Sequence, residues 1–140
     1  ASTRRIFIFV DQSGSMTDTE VQNCLAQLVQ LLKRYHDKLT IIPFDATVHD
    51  DHLQSISHGH QLAFQRVAGG GTAYQPIFDW LVKQGVNDTN ALSLILTDGH
   101  GEETVTTHGF TRLIWGLTTT ASDLSVKQPV GAVTVIRERK

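Results

Sequence analysis

The sequence is poor in cysteine, has little excess charge and lacks any long hydrophobic run. Its single cysteine, Cys24, cannot build a disulfide framework, which is typical of a reducing compartment, and we expect a cytoplasmic location. No apolar run approaches the roughly 20 residues that cross a bilayer, so no membrane span is predicted. The formal net charge is −2 and no basic stripe is present, so nucleic acid is a poor candidate partner.

The beginning of the chain also lacks targeting features. Arg4 and Arg5 lead directly into a strand-like segment, so no signal peptide is predicted. The first residue is Ala rather than Met, from which we expect a piece of a longer protein. Because 40% of the 140 residues are hydrophobic and 19% are charged, we predict one domain over residues 1–140.

Continuous apolar runs predict strands of a parallel sheet, because strands covered on both faces need no polar alternation. These runs cover residues 6–10, 39–44, 91–97 and 113–117, and residues 131–136 are predicted as a last strand. Between them, residues 45–66 carry scattered apolar side chains among Asp and His, which predicts only an edge strand or a hairpin.

Apolar side chains at spacings of three and four residues predict two amphipathic helices. The first covers residues 18–36 and follows Thr17, with Glu20 at the spacing of a capping box. The second begins near Pro76, which suits a first helical turn, and ends near Gly85, which can adopt a left-handed conformation. Strands that alternate with helices predict a layered α/β fold with a mainly parallel sheet.

Oxygen-bearing side chains follow two of the predicted strands and precede the second helix. Asp11, Ser13 and Ser15 come after the first strand at alternate positions, which point the same way in extended backbone. Thr72 ends a Gly-Gly-Gly-Thr segment. Asp98 follows the strand predicted over residues 91–97, which is the fourth strand when the predicted edge strand is counted. If the first and fourth strands are neighbours, these side chains converge at the carboxyl edge of the sheet, where α/β folds bind ligands.

This set of five oxygen donors predicts a site for a hard divalent cation. It contains no cysteine and needs no histidine, which suits Mg²⁺, with Mn²⁺ or Ca²⁺ as alternatives, rather than Zn²⁺. The two carboxylates formally balance one such ion, and the uncharged hydroxyls position it without further neutralisation. An ion bound partly through water can therefore accept one more anionic oxygen, such as an Asp or Glu carboxylate of a protein partner.

The motif resembles the metal-ion-dependent adhesion site (MIDAS) of von Willebrand factor type A (VWA) domains. The resemblance lies in Asp11-x-Ser13-x-Ser15, Thr72 and Thr97-Asp98-Gly99. It implies a Rossmann-like, mainly parallel sheet with helices on both faces and one antiparallel edge strand. It also implies that Ser13, Ser15 and Thr72 contact the ion by hydroxyl. Asp11 and Asp98 would contact it directly or through water.

A narrower resemblance concerns three segments of the chain. Residues 69–72 (GGGT), 97–99 (TDG) and 113–117 (LIWGL) resemble a bacterial group of VWA-like domains at the C-terminal end of metallopeptidase-like chains. The present sequence has no H-E-x-x-H motif of its own. A metallopeptidase-like domain is therefore an expectation for the full-length protein only.

Three residues beside the predicted site are candidates for the ligand surface. His100 and Glu102 follow Asp98, and Gly71 precedes Thr72, where a missing side chain would let backbone approach the ion. The alternative for His100 is an exposed turn, and the alternative for the glycines is a flexible turn.

Histidines and aspartates of the middle segment carry weaker predictions. The histidines at 49, 52, 58 and 60 match no strong zinc signature and indicate a solvated loop. Asp45, Asp50 and Asp51 could form a second cation site or simply belong to that loop.

The predicted function is a metal-dependent protein-binding module that is not itself an enzyme. The alternative is a metal-dependent hydrolase or phosphatase that uses Asp11, because haloacid-dehalogenase-like phosphatases also place an aspartate after the first strand. Those enzymes normally have a second aspartate as general acid where this chain has Ser13. A serine hydrolase and a nucleotide binder are least supported, since G-x-S-x-G and G-x-G-x-x-G are absent from the turn.

Overall fold

The computed structural model describes residues 5–32, 39–56, 64–118 and 123–136, which form a six-stranded sheet and two α-helices. In chain order the strands are β1 (Arg5–Asp11), β2 (Leu39–Phe44), β3 (Gln54–Ile56), β4 (Ala91–Thr97), β5 (Leu113–Leu117) and β6 (Ala132–Val135). The helices are α1 (Asp18–Leu32) and α2 (Gln75–Lys83). The predicted continuation of α1 to residue 36 lies outside the described residues.

The sheet is mainly parallel, as the apolar runs predict. Its strand order is β3-β2-β1-β4-β5-β6. Every neighbouring pair is parallel except β2 and β3, which are antiparallel. The segment for which only an edge strand or hairpin could be predicted therefore supplies the antiparallel edge strand, after a short 3₁₀ turn at Asp50–His52. The predicted fold class, with one antiparallel edge strand, is confirmed.

One helix packs on each face of the sheet. Alternate residues of a strand point to opposite faces, so β1 divides its side chains between two cores. Ile6 and Ile8 pack with the apolar side of α1, including Val21. Phe7 and Phe9 pack with the apolar side of α2 in a second buried cluster. This division explains why β1 is apolar at consecutive positions, whereas the edge strand β6 is exposed at all four residues.

The helix ends follow the predicted capping residues. At the start of α1, the hydroxyl of Thr17 accepts a 3.1 Å hydrogen bond from the backbone N–H of Glu20. After α2, Gly85 has a φ of 69°, which favours glycine. Its N–H donates to the carbonyl of Val82, and Val86 N–H donates to that of Leu81, each at 3.0 Å. These two bonds form a Schellman motif and stop the helix.

The chain changes direction across the sheet at β1. It leaves β1 for β2 on one side and later returns as β4 on the other side, so β1 and β4 flank a topological switch point. Val10 is in register with Leu96, which places the ends of these two strands at the same edge. Ligands of open α/β sheets bind at such a point. Among the described residues, neither helix is long and apolar enough to cross a membrane.

Candidate metal site at the switch point

Two aspartates occupy the carboxyl ends of the strands that flank the switch point. Asp11 is the last residue of β1, and Asp98 follows the last residue of β4. The exposed fraction is 0% for Asp11 and 4% for Asp98, so both carboxylates are almost completely removed from water. The condition for convergence is met, because β1 and β4 are neighbours, and this pairing brings the two residues to one place.

The loop after β1 turns its two serines toward these carboxylates. The backbone N–H of Ser13 donates a 2.8 Å hydrogen bond to Oδ1 of Asp11, which closes a tight turn. The hydroxyls of Ser13 and Ser15 lie 3.1 Å apart and share a hydrogen bond. The hydroxyl of Ser15 also donates to Oδ2 of Asp98. The loop is not extended here: Gly14 and Ser15 form a turn, closed by a 3.1 Å bond from Met16 N–H to the Ser13 carbonyl, and this turn brings the serine hydroxyls together.

Thr72 completes the predicted set of oxygen donors. Its hydroxyl donates to both carboxylate oxygens of Asp11, at 3.3 and 3.5 Å. Asp45, just after β2, holds the glycine-rich segment in place. Its carbonyl accepts a 3.0 Å bond from Ala73 N–H, and its Oδ2 accepts a 3.3 Å bond from Gly70 N–H. The structure thus brings together all five side chains that the sequence marks as metal ligands.

Thr97 contributes a contact that the sequence pattern does not reveal. Its hydroxyl donates a 2.6 Å hydrogen bond to Oδ2 of Asp11. The hydroxyl oxygen of Thr97 also lies 2.9 Å from the buried hydroxyl of Tyr74 and accepts a 3.2 Å bond from Gly99 N–H. Thr97 shares its face of β4 with Ser93 and Ile95, and nothing in that pattern identifies Asp11 as its partner.

Burial dominates the electrostatics of Asp11. The pKa of its carboxyl is raised, first because burial disfavours the ionised form. Hydrogen bonds from Thr97 and Ser13 act in the opposite direction, and the nearby charge of Asp98 adds to the increase. Burial likewise raises the pKa of Tyr74, whose hydroxyl therefore stays protonated and available as a donor.

The donor set fits a divalent cation. Within the described part of the chain, neither Asp11 nor Asp98 forms an ion pair with a Lys, Arg or His side chain. Buried charges are normally paired or coordinate a metal. Among those residues, there is no group of three or more His, Cys, Asp or Glu side chains that could hold a metal ion. The cluster at the switch point has only two carboxylates, and hydroxyls make up the rest.

The three candidates for the ligand surface have different surroundings. His100 is exposed, and its backbone N–H donates a 3.3 Å bond to Oδ1 of Asp98. Gly71 is also exposed, and a Cβ at that position would meet nothing within 4 Å. Glu102 instead directs its carboxylate at the start of α2, where it accepts bonds of 2.7 and 2.9 Å from the N–H groups of Tyr74 and Gln75. Glu102 therefore helps to fix the helix that follows Thr72.

The aspartates of the middle segment have separate partners. Asp45 pairs with His49 at 2.8 Å, and this hydrogen bond helps to lower its pKa against the effect of burial. Asp50 accepts a 3.1 Å bond from the indole N–H of Trp80, and Asp51 lies 3.6 Å from His52. These contacts do not assemble a second cation site. His58 and His60 lie outside the described residues.

These geometric features define an α/β domain with an oxygen-lined cluster at its switch point, and comparison with known proteins gives the family. A family model described as VWA-like domain (DUF2201) matches residues 6–137. The chain belongs to this family. No match was found among curated proteins.

Proposed function

We propose that this VWA-like domain is a divalent-metal-dependent protein-binding module. One observation carries the proposal: the buried carboxylates of Asp11 and Asp98 meet the hydroxyls of Ser15, Thr72 and Thr97 but, in the described part of the chain, no cationic side chain. A cation bound there would compensate two charges that are otherwise costly to bury. Mg²⁺ is the ion that we propose first, with Mn²⁺ and Ca²⁺ as alternatives.

The residues would divide the task by charge. Ser13, Ser15 and Thr72 would offer hydroxyl oxygens, whereas Asp11 and Asp98 would offer carboxylate oxygens directly or through water. When bound, the ion would supply an open coordination position for an anionic oxygen. If one or both carboxylates bind through water, the ion keeps much of its positive field, and we infer that an Asp or Glu of a protein partner occupies the open position.

An enzymatic use of Asp11 has less support. Its side chain is fully buried, and its two oxygens accept hydrogen bonds from Ser13, Thr72 and Thr97. In haloacid-dehalogenase-like phosphatases a second aspartate acts as the general acid. This chain has Ser13 at that position, and a serine hydroxyl does not supply a proton at its ordinary acidity. We therefore infer that the domain itself is non-catalytic.

The wider setting also remains a proposal. A cytoplasmic location is inferred from the single, buried Cys24, and a metallopeptidase-like neighbour in a longer protein is inferred from the GGGT, TDG and LIWGL segments alone. We propose a protein rather than nucleic acid as partner, because the formal net charge is −2.

The partner proposal is tested by affinity capture from the source cell. Wild-type and Asp11→Ala domains serve as bait, each in millimolar Mg²⁺ and in EDTA. The expected result is a protein retained only by the wild type in Mg²⁺, whose binding is lost when one of its Asp or Glu residues is changed to the amide. Equal capture in EDTA, or by both baits, would contradict a metal-bridged contact.

A further inference from the structure

Arg66 is tied to the loop that carries Ser13 and Ser15. Its Nη1 donates to the carbonyls of Gln12 at 2.6 Å and Ser13 at 3.1 Å, and its Nη2 donates to that of Met16. The guanidinium therefore collects three carbonyls from the segment between β1 and α1. Nothing in the sequence connects it to this segment, since more than 50 positions separate Arg66 from Ser13.

One peptide group links Arg66 to Asp11. The peptide between Gln12 and Ser13 accepts from Arg66 Nη1 at its oxygen and donates from its N–H to Asp11 Oδ1 at 2.8 Å. In a trans peptide these two groups point in opposite directions, and the described residues contain no cis peptide. Arg66 thus binds one side of the planar Gln12–Ser13 peptide, and the other side of this peptide binds the carboxylate of Asp11.

The charge of Arg66 is paired with Asp18 at the start of α1. Its Nε donates to Oδ1 of Asp18 at 2.9 Å, and its Nη2 lies 2.7 Å from the same oxygen. The Asp18 side chain is 68% exposed, so this ion pair is screened by water and is weak in energy. The ion pair nevertheless orients the planar guanidinium of Arg66. The guanidinium has five N–H donors in fixed directions and reaches four separate acceptors, whereas a lysine ammonium has only three donors.

We propose that Arg66 is a positioning residue of the switch-point site. By gripping the carbonyls of the first loop, it fixes the N–H of Ser13 on Asp11 and the direction of the serine hydroxyls. The metal-binding part of this proposal rests on the proposed function. The positioning of Asp11 does not, because the contacts belong to the chain alone.

The direction of the change in Mg²⁺ affinity on replacing Arg66 distinguishes a positioning role from an effect of its charge. Removing a positive charge near a cation site should by itself tighten Mg²⁺ binding, since like charges repel. Loss of positioning should weaken it, as loss of groups that orient metal ligands does by about 10- to 100-fold. A weaker affinity in Arg66→Gln therefore points to geometry.

Arg112 supplies a matched control. Its Nη1 also contacts a backbone carbonyl, that of Asp88 at 3.5 Å, but it precedes β5 and so lies at the opposite edge of the sheet. We would measure Mg²⁺ affinity by calorimetry and Ser13 amide exchange in EDTA by NMR for wild type, Arg66→Gln, Arg66→Lys and Arg112→Gln.

The expected result is a Mg²⁺ affinity at least about tenfold weaker in both Arg66 variants, with Arg112→Gln unchanged. In EDTA, Ser13 should exchange about tenfold faster in the Arg66 variants only, because its hydrogen bond to Asp11 has loosened. Wild-type affinity in Arg66→Gln or Arg66→Lys with unchanged Ser13 exchange would overturn the proposal. If the wild type binds no Mg²⁺, the proposed function fails, and Ser13 exchange alone decides whether Arg66 positions Asp11.

Discussion

Thr97 at the end of β4 donates a 2.6 Å hydrogen bond to Oδ2 of Asp11 at the end of β1. The bond joins the two strands at the switch point, and the Tyr74 hydroxyl, 2.9 Å from Thr97, supports it from α2's side of the sheet. The position of the Asp11 carboxylate is therefore set by the fold itself. A preorganised ligand of this kind loses little freedom when it binds an ion.

This contact predicts a clear loss of stability for Thr97→Val. The substitution keeps the shape of the side chain but removes hydrogen bonds to Asp11 and Tyr74 in a buried place. We expect the free energy of unfolding to fall by roughly 1–3 kcal/mol, because buried polar groups would be left unpaired. Urea denaturation in EDTA measures the change.

Ser93 provides the matched control on the same face of β4. Its hydroxyl is buried and has no hydrogen-bond partner among the described residues. Ser93→Ala should therefore leave the free energy of unfolding within about 0.5 kcal/mol of the wild type or raise it. If Ser93→Ala costs as much as Thr97→Val, the Thr97 contact is not the source of the loss.

The raised pKa of Asp11 predicts a pH-dependent gain for Asp11→Asn in the absence of metal. A carboxyl whose pKa is raised on folding contributes most to stability below its unfolded pKa, and this contribution is lost as pH rises through the folded pKa. The amide does not titrate. The difference in unfolding free energy should therefore move in favour of Asp11→Asn between pH 4 and pH 8 in EDTA.

Thermal melts of both proteins across that pH range give the slope of this difference. A slope in the opposite direction would mean that the fold favours the ionised carboxylate, and the case for a compensating cation would weaken. Adding Mg²⁺ at pH 8 should move the difference in unfolding free energy back in favour of the wild type, because only the wild type retains both carboxylates.

Two glycines near the site predict opposite results when changed to alanine. At Gly101 an added Cβ would lie 2.5, 2.8 and 3.0 Å from ring atoms of Tyr74, which is fully buried. Gly101→Ala should lower the free energy of unfolding by about 1–3 kcal/mol through this overlap. At Gly71 an added Cβ would meet nothing within 4 Å, so Gly71→Ala should leave the free energy of unfolding unchanged to within about 0.5 kcal/mol.

Gly71→Ala is then a probe of the ligand surface rather than of the fold. If backbone at Gly71 approaches the ion or the partner, Gly71→Ala should weaken Mg²⁺-dependent capture at unchanged stability in EDTA. Unchanged capture would assign Gly71 to a simple turn.

The sequence revealed those parts of the fold that depend on local pattern. Continuous apolar runs identified β1, β2 and β4 because both sheet faces are covered, and Gly85 marked the end of α2 because its φ is positive. The five oxygen donors were recognisable because each lies at a strand end or before a helix, where backbone direction fixes the side chain. The positions of these features need no knowledge of distant neighbours, whereas the convergence of the five donors depends on the pairing of β1 with β4.

The remaining contacts depend on which strands become neighbours. Thr97 reaches Asp11 across 86 positions, and Arg66 reaches Gln12 across 54. No spacing rule connects such pairs. Glu102 shows the same limit, since its carboxylate caps α2 across 28 positions in a way that only the folded chain reveals.

The central claim is tested most directly by thermal melts of wild type, Asp98→Asn and Asp88→Asn in EDTA and in increasing Mg²⁺. Asp88 is the control because its carboxylate binds Thr111 and Arg112 before β5, away from the switch point. At about five times the dissociation constant, Mg²⁺ should stabilise the wild type by about 1 kcal/mol, a rise of about 3 °C in Tm. The account predicts this rise in wild type and Asp88→Asn and its loss in Asp98→Asn. No rise in the wild type at millimolar Mg²⁺, or an equal rise in Asp98→Asn, would contradict it.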